Sequence, residues 1–90
     1  MDFPEPLQLA WDKCRENEEF RGTLGDPIGK SIFWDGSITD EQASFTLPVH
    51  GANGEGQVFA RLIKDKEGAW DPFLIVFRFQ DTLINVFEKK

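Results

Sequence analysis

The sequence predicts an α+β, two-layer domain in which one N-terminal helix packs on an antiparallel β-meander of about five strands. Three observations predict it. Apolar residues recur at the helical spacing only near the N-terminus, and after Pro27 the spacing changes to two. The connections between the predicted strands are too short for a parallel crossover, which needs a dozen or more residues. A chain of 90 residues makes one small domain, residues 1–90, and no linker, repeat or low-complexity stretch divides it.

The helix is predicted over residues 5–19. Pro4 and Pro6 suit a first helical turn, where no amide partner is lost. Leu7, Ala10, Trp11 and Cys14 follow at i, i+3, i+4 and i+7, while Gln8, Asp12, Arg15, Asn17 and Glu19 form a solvated face. Phe20 and Leu24 add one more i, i+4 pair, read as a shorter helical turn. Gly25 ends it and Pro27 blocks continuation. In the first strand, predicted over 31–38, Ile32, Trp34 and Ile38 alternate with Ser31, Asp35 and Ser37, and Phe33 is out of phase. The second, 43–50, is the cleanest: Ala43, Phe45, Leu47 and Val49 point one way. Pro48 cannot donate a ladder bond, so this strand is expected at an edge or with a bulge. Asn53-Gly54 marks a tight hairpin leading to the third strand, 56–64. Lys64 to Gly68 is a second turn, with Gly68 suited to positive φ. The fourth strand spans 69–80, with Phe73, Ile75, Phe77 and Phe79 in phase. The last spans 83–87, after an Asp81-Thr82 turn.

Charge and composition exclude several functions. Lys plus Arg number 10 against 16 Asp plus Glu, a net charge of −6. No cluster of basic residues is present to hold nucleic acid or an anionic bilayer. Nine Phe and three Trp argue against disorder. Cys14 is the single cysteine, so there is no internal disulfide and no two-cysteine metal site. The longest apolar run, Phe73 to Phe77, is far short of a membrane span. The N-terminus has neither the basic nor the apolar region of a signal peptide. The chain as it stands is expected in the cytoplasm, or associated with an inner membrane if an anchor preceded Met1.

Each candidate for chemistry has a structural reading that serves better. His50, the single histidine, has no nucleophile or orienting carboxylate fixed beside it by spacing, and beside a turn it reads as solvated. Cys14 shares an apolar stripe with Leu7 and Trp11, the setting of an inert thiol. Gly51, Gly54 and Gly56 lead into a strand, whereas a phosphate loop opens a helix. Neither the acidic run Glu16, Glu18, Glu19 nor Asp65 and Glu67 has calcium-loop spacing. The reading is therefore no catalytic residue, no metal ligand and no cofactor.

One feature calls for more than a core. With the helix over Phe45, Leu47, Val49, Val58, Ala60 and Leu62, the other side of the sheet still carries Phe59 and Ile63. Phe33 adds to it out of phase, and the long strand adds either Leu74 and Val76 or its Phe series. One-sided antiparallel sheets are normally polar there. Phe33, Phe59, Ile63, Leu74 and Val76 are accordingly the candidate partner-binding face, for another protein or for a weak homodimer. Cover by the N-terminal segment through Phe3, or curling of the sheet into a partial barrel, would hide the same residues.

From Phe20 onward the motif pieces are Leu24-Gly25-Asp26-Pro27-Ile28, Ser44-Phe-Thr-Leu-Pro-Val49 with His50-Gly51, Gly56-Gln-Val-Phe-Ala60, and Gly68-Ala69-Trp70. Together, over about residues 10–87, they resemble the cytochrome c oxidase assembly factor 1 family, whose relatives include subunit 21 of the mitochondrial presequence translocase. The resemblance implies a helix-plus-sheet domain that works by protein contact at an inner membrane, with a membrane-complex subunit as partner and no catalytic residues. Members usually carry an adjacent transmembrane helix, which this sequence does not contain. Trp70 is large enough to anchor helix against sheet. The expected function is a non-enzymatic protein-interaction domain. The alternative is a carrier of a small apolar ligand, with its pocket between helix and curved sheet.

Overall fold

The computed structural model describes residues 3–89. Helices α1 (Glu5–Glu16) and α2 (Glu18–Leu24) lie on one side of a six-stranded sheet of β1 (Gly29–Lys30), β2 (Asp35–Ile38), β3 (Gln42–Gly51), β4 (Gly54–Lys64), β5 (Trp70–Phe79) and β6 (Thr82–Glu88). Every pairing is antiparallel, in the order β1-β3-β4-β5-β6, with β2 also on β3. This is the expected α+β two-layer arrangement. The sheet stays open rather than closing into a barrel.

The predicted helix 5–19 ends earlier, at Glu16, and the shorter helical turn predicted before Gly25 is a second helix that begins at Glu18. At Asn17 the backbone turns extended (φ −88°, ψ 117°), and its side-chain Oδ1 accepts the Phe20 N–H at 2.9 Å. Asn17 thus ends α1 and caps α2, with Glu18 and Glu19 favourably placed in the first turn of α2. The apolar stripe of α1 is buried as its spacing requires: Leu7, Ala10, Trp11 and Cys14. The chain re-aims at Asn17 so that Phe20 and Leu24 are fully buried as well.

A seven-residue helix does not hold itself together in water. What holds α2 is the tip of the β3–β4 hairpin. Ala52 N–H donates to the Gly25 carbonyl at 2.8 Å and Asn53 N–H to the Leu24 carbonyl at 2.9 Å. The Asn53 Nδ2 donates to the Thr23 carbonyl at 3.1 Å. Carbonyls left over at a helix end need such partners. The contact is close because Gly25 takes φ 83° and Gly51 has no side chain, for a Cβ there would lie 2.5 Å from the Leu24 oxygen. It also moves the turn. The two residues between the paired Gly51 and Gly54 are Ala52 and Asn53, one position before the predicted Asn53-Gly54, because Asn53 serves the helix. The exit from α2 passes through a cis Asp26–Pro27 peptide.

The predicted strand 31–38 is interrupted. Lys30 pairs with Val49 and Asp35 with Thr46, so residues 31–34 stand opposite Leu47 and Pro48 alone and bulge from the border. The Pro48 carbonyl accepts the Ser31 N–H at 2.9 Å. In a strand the nitrogen and carbonyl of one residue point the same way, so the ring nitrogen of Pro48 faces the bulge and no bond to β4 is lost. Between β4 and β5, a shift in register sets Arg61 against Leu74 and Leu62 against Pro72, leaving Phe73 as the extra residue.

The core lies between the layers: Leu7, Cys14, Phe20, Leu24, Leu47, Leu62, Ile75 and Phe77 are fully buried. Three aromatic rings join the layers. Trp11 meets Phe20 edge-on at 6.2 Å, and Phe20 meets Phe77 of β5 at 4.5 Å. The anchoring expected of Trp70 falls to Phe20. Trp70 is only partly buried at the start of β5, with the Lys64 ammonium 5.1 Å from its ring. Phe3 packs on the helix side, under Lys30, and so does not cover the other face.

Three substitutions test these contacts through stability. Asn53→Ala should lower urea stability by about 1 kcal/mol, the worth of one neutral hydrogen bond, and Gly51→Ala by more, since its Cβ pushes the hairpin off α2. In the 65–69 loop the Asp65 carboxylate accepts the Ala69 and Glu67 N–H groups, which hold its pKa below the usual carboxylate value. A depressed folded pKa contributes stability above the unfolded value, about pH 4, that is lost as pH falls through the folded one. Asp65→Asn should therefore flatten the acid limb of the melting temperature below that pH while keeping the turn.

Candidate functional site

The face of the sheet away from the helices is bare. Alternation along each strand selects its residues. From β3 it takes Ser44, Thr46 and His50, from β4 Glu55, Gln57, Phe59, Arg61 and Ile63, and from β5 Leu74, Val76 and Arg78. Register then sets them in rows. Thr46, Phe59, Val76 and Asn85 form one row across β3 to β6. Ser44, Arg61, Leu74 and Glu88 form the next, and Gln57, Arg78 and Leu83 lie on the other side.

Four of the five expected residues are brought together here. Phe59 is 37% exposed and Ile63 42%, while Leu74 and Val76 are partly exposed beside them. Phe33 is not with them. It stands in the 31–34 bulge at the sheet border, 78% exposed next to an equally exposed Ile32, with its N–H held by the Ser31 hydroxyl at 2.9 Å. An unbroken strand over 31–38 would have aimed Phe33 at the face, and the bulge removes it from the row.

Alternation alone allows β5 to show either Leu74 and Val76 or its Phe series. It shows Leu74 and Val76, and of the Phe series only Phe73, which the bulge sets apart. Ile75 and Phe77 turn to the core, Leu74 and Val76 to the bare face, and Phe73 itself is 41% exposed, lining a groove with Ile63, Asp71 and Lys89. Phe73 is thus a member of the apolar stripe that alternation alone misassigns. The neighbouring Pro72, which cannot donate a ladder bond, was the available signal.

Two arginines flank the stripe. Arg61 lies beside Leu74 and Arg78 beside Gln57, and neither is in an ion pair among the described residues. Sequence phase could have found both, since Arg61 alternates with Phe59 and Ile63, and Arg78 with Leu74 and Val76. Glu88 accepts a hydrogen bond from Asn85 Nδ2 at 3.2 Å, and Glu55 is directly opposite His50. At the rim an Asp71–Lys89 ion pair closes the end of the stripe.

Surface grooves of about 610 Å³ (Ser31, His50, Glu55, Gln57, Arg78, Gln80) and 430 Å³ (Asp35, Ser44, Thr46, Phe59, Arg61, Leu74) are cut into this same side. Neither groove is lined by a residue of α1 or α2, where the carrier alternative would have its pocket. The imidazole of His50 lies against Gly29 of β1. Among the described residues no group of three or more His, Cys, Asp or Glu side chains could hold a metal ion. No helix described is long and apolar enough to cross a membrane.

Cys14 is fully buried under α1, and burial pushes its thiol up to about 12. Ellman's reagent at pH 8 should leave the folded chain unlabelled and react fully once urea unfolds it, since thiolate is the reactive form. Stoichiometric labelling within minutes in native buffer would contradict this burial. No family model, curated protein or solved structure matches the chain.

Proposed function

We propose that this chain is a non-enzymatic protein-interaction domain whose bare sheet face is the docking surface. The observation that carries the reading is the stripe of Phe59, Ile63, Phe73, Leu74 and Val76 left uncovered where a one-sided sheet is normally polar. The two flanking arginines add to it, for aromatic residues and Arg are enriched at protein interfaces. Resemblance to the cytochrome c oxidase assembly factor 1 family suggests the class of partner, a subunit of a membrane complex, and a place of work at an inner-membrane surface. Nothing in this role asks for a cofactor.

Phe59→Glu tests it. The ring is already partly in water, so the melting temperature should hold, with a stability change of about 0.5 kcal/mol or less. Subunits of membrane complexes that cross-link to the wild-type chain in membrane extracts should be lost from the variant. A collapse of stability would make Phe59 a core residue and sink the reading, as would an identical cross-linking pattern.

A further inference from the structure

The sheet has two borders, and they are built differently. One is interrupted by the 31–34 bulge. The other is β6, with no strand outside it among the described residues. The two-residue turn Gln80-Asp81 makes Phe79 and Thr82 its bonded closing pair. Bonding alternates from there, so Thr82 and Ile84 bond to β5 while the amides and carbonyls of Leu83 and Asn85 point outward. Those outward groups have no backbone partner among the described residues. Borders are normally blunted by charge or proline. Thr82-Leu-Ile-Asn-Val-Phe87 carries neither, and no glycine, a composition suited to further pairing. Val86, the extra residue where Val76 faces Asn85 and Ile75 faces Phe87, is the one device that limits the straight ladder.

We infer that β6 pairs antiparallel with β6 of a second copy, extending the sheet edge to edge about a two-fold axis between the two Ile84. That centre sets Leu83 of each copy against Asn85 of the other, outward groups against outward groups, for four backbone bonds. A centre at Leu83 would set Asn85 against Asp81 of the turn, and one at Asn85 would set Leu83 against Phe87 beyond the bulge. Each of those loses half the bonds, so the strand selects its own register. Thr82 then falls opposite Val86, and no charged side chain stands opposite another, although each chain carries −6. Ile84, buried on the helix side, meets its own copy and carries the core across the junction. The far border of each copy is obstructed by Ile32 and Phe33, so assembly stops at two. The ladder is short, and association is weak and reversible. Both bare faces lie on the same side of the enlarged sheet, open as before, so this inference goes beyond the docking reading and fails separately from it.

The test is sedimentation equilibrium of the whole chain over a concentration series reaching millimolar, with wild type and two variants at one exposed position. The Leu83 amide bonds nothing in the single chain, so Leu83→Pro should keep the fold by circular dichroism. It should weaken the dimer about thirtyfold or more, because two of the four bonds go. Leu83→Thr trims the same apolar side chain but keeps the amide, and should leave the dimer nearly as strong. Amide exchange of the wild-type chain is a second reading that needs no variant. The Leu83 and Asn85 amides should exchange fast at micromolar concentration and about tenfold or more slower at millimolar. A folded Leu83→Pro chain that dimerises like wild type overturns the inference, as does a Leu83→Thr chain weakened as much as Leu83→Pro. Exchange at 83 and 85 indifferent to concentration overturns it too, and so does a wild-type chain that is monomeric throughout. The docking reading is judged apart from all of these, by the Phe59→Glu cross-linking comparison.

Discussion

The fold depends on the bonds between the β3–β4 turn and the last carbonyls of α2. Those bonds end a helix too short to persist alone, fix the hairpin against it, and bring Phe20 down onto Phe77. Leu24, Gly25, Gly51 and Asn53 belong to two segments distant in sequence, yet each makes sense only with the other. A residue with a side chain at position 51 cannot come so near a helix end, and a residue other than asparagine at 53 leaves the Thr23 oxygen without its side-chain donor. By holding the helices over one side of the sheet, the same contact decides which side is left bare.

Much of this was legible in the sequence. Period-two alternation over 43–50 and 56–64 named the buried residues of β3 and β4 correctly, and Leu7, Ala10, Trp11 and Cys14 marked the face of α1. These patterns record local geometry, in which a side chain's direction follows from its position along the element. Asn17 also carried a readable signal: an asparagine followed by two glutamates is a helix start, although the same spacing fits one longer helix.

What could not be read was set by distant partners. The turn moved by one residue because Asn53 bonds to α2, a contact 30 positions away that spacing does not encode. The two bulges are of the same kind. Phe33 leaves the face because four residues stand opposite two, and Phe73 changes sides because Pro72 meets Leu62 one step early. The single extra residue at 73 inverts the alternation on one side of it, whereas the two extra residues at 31–34 leave β1 and β2 in the same phase and only lift the residues between them off the sheet. The site was therefore legible as a face, through Phe59, Ile63, Leu74 and Val76, and not in its outline. Its arginines were in phase all along, but which acidic residues sit near them depends on strand pairing.

The bulge at 31–34 has a further effect. A straight outer strand offers a ladder of free amides and carbonyls to any extended chain that passes, the route by which sheets recruit strangers and grow into fibrils. Here that ladder is broken in the middle, and Ile32 and Phe33 project where an incoming strand would have to lie flat. Lateral growth along this border is obstructed by the chain's own backbone. An aromatic-rich protein can therefore keep an apolar plane in contact with water without polymerising through this side.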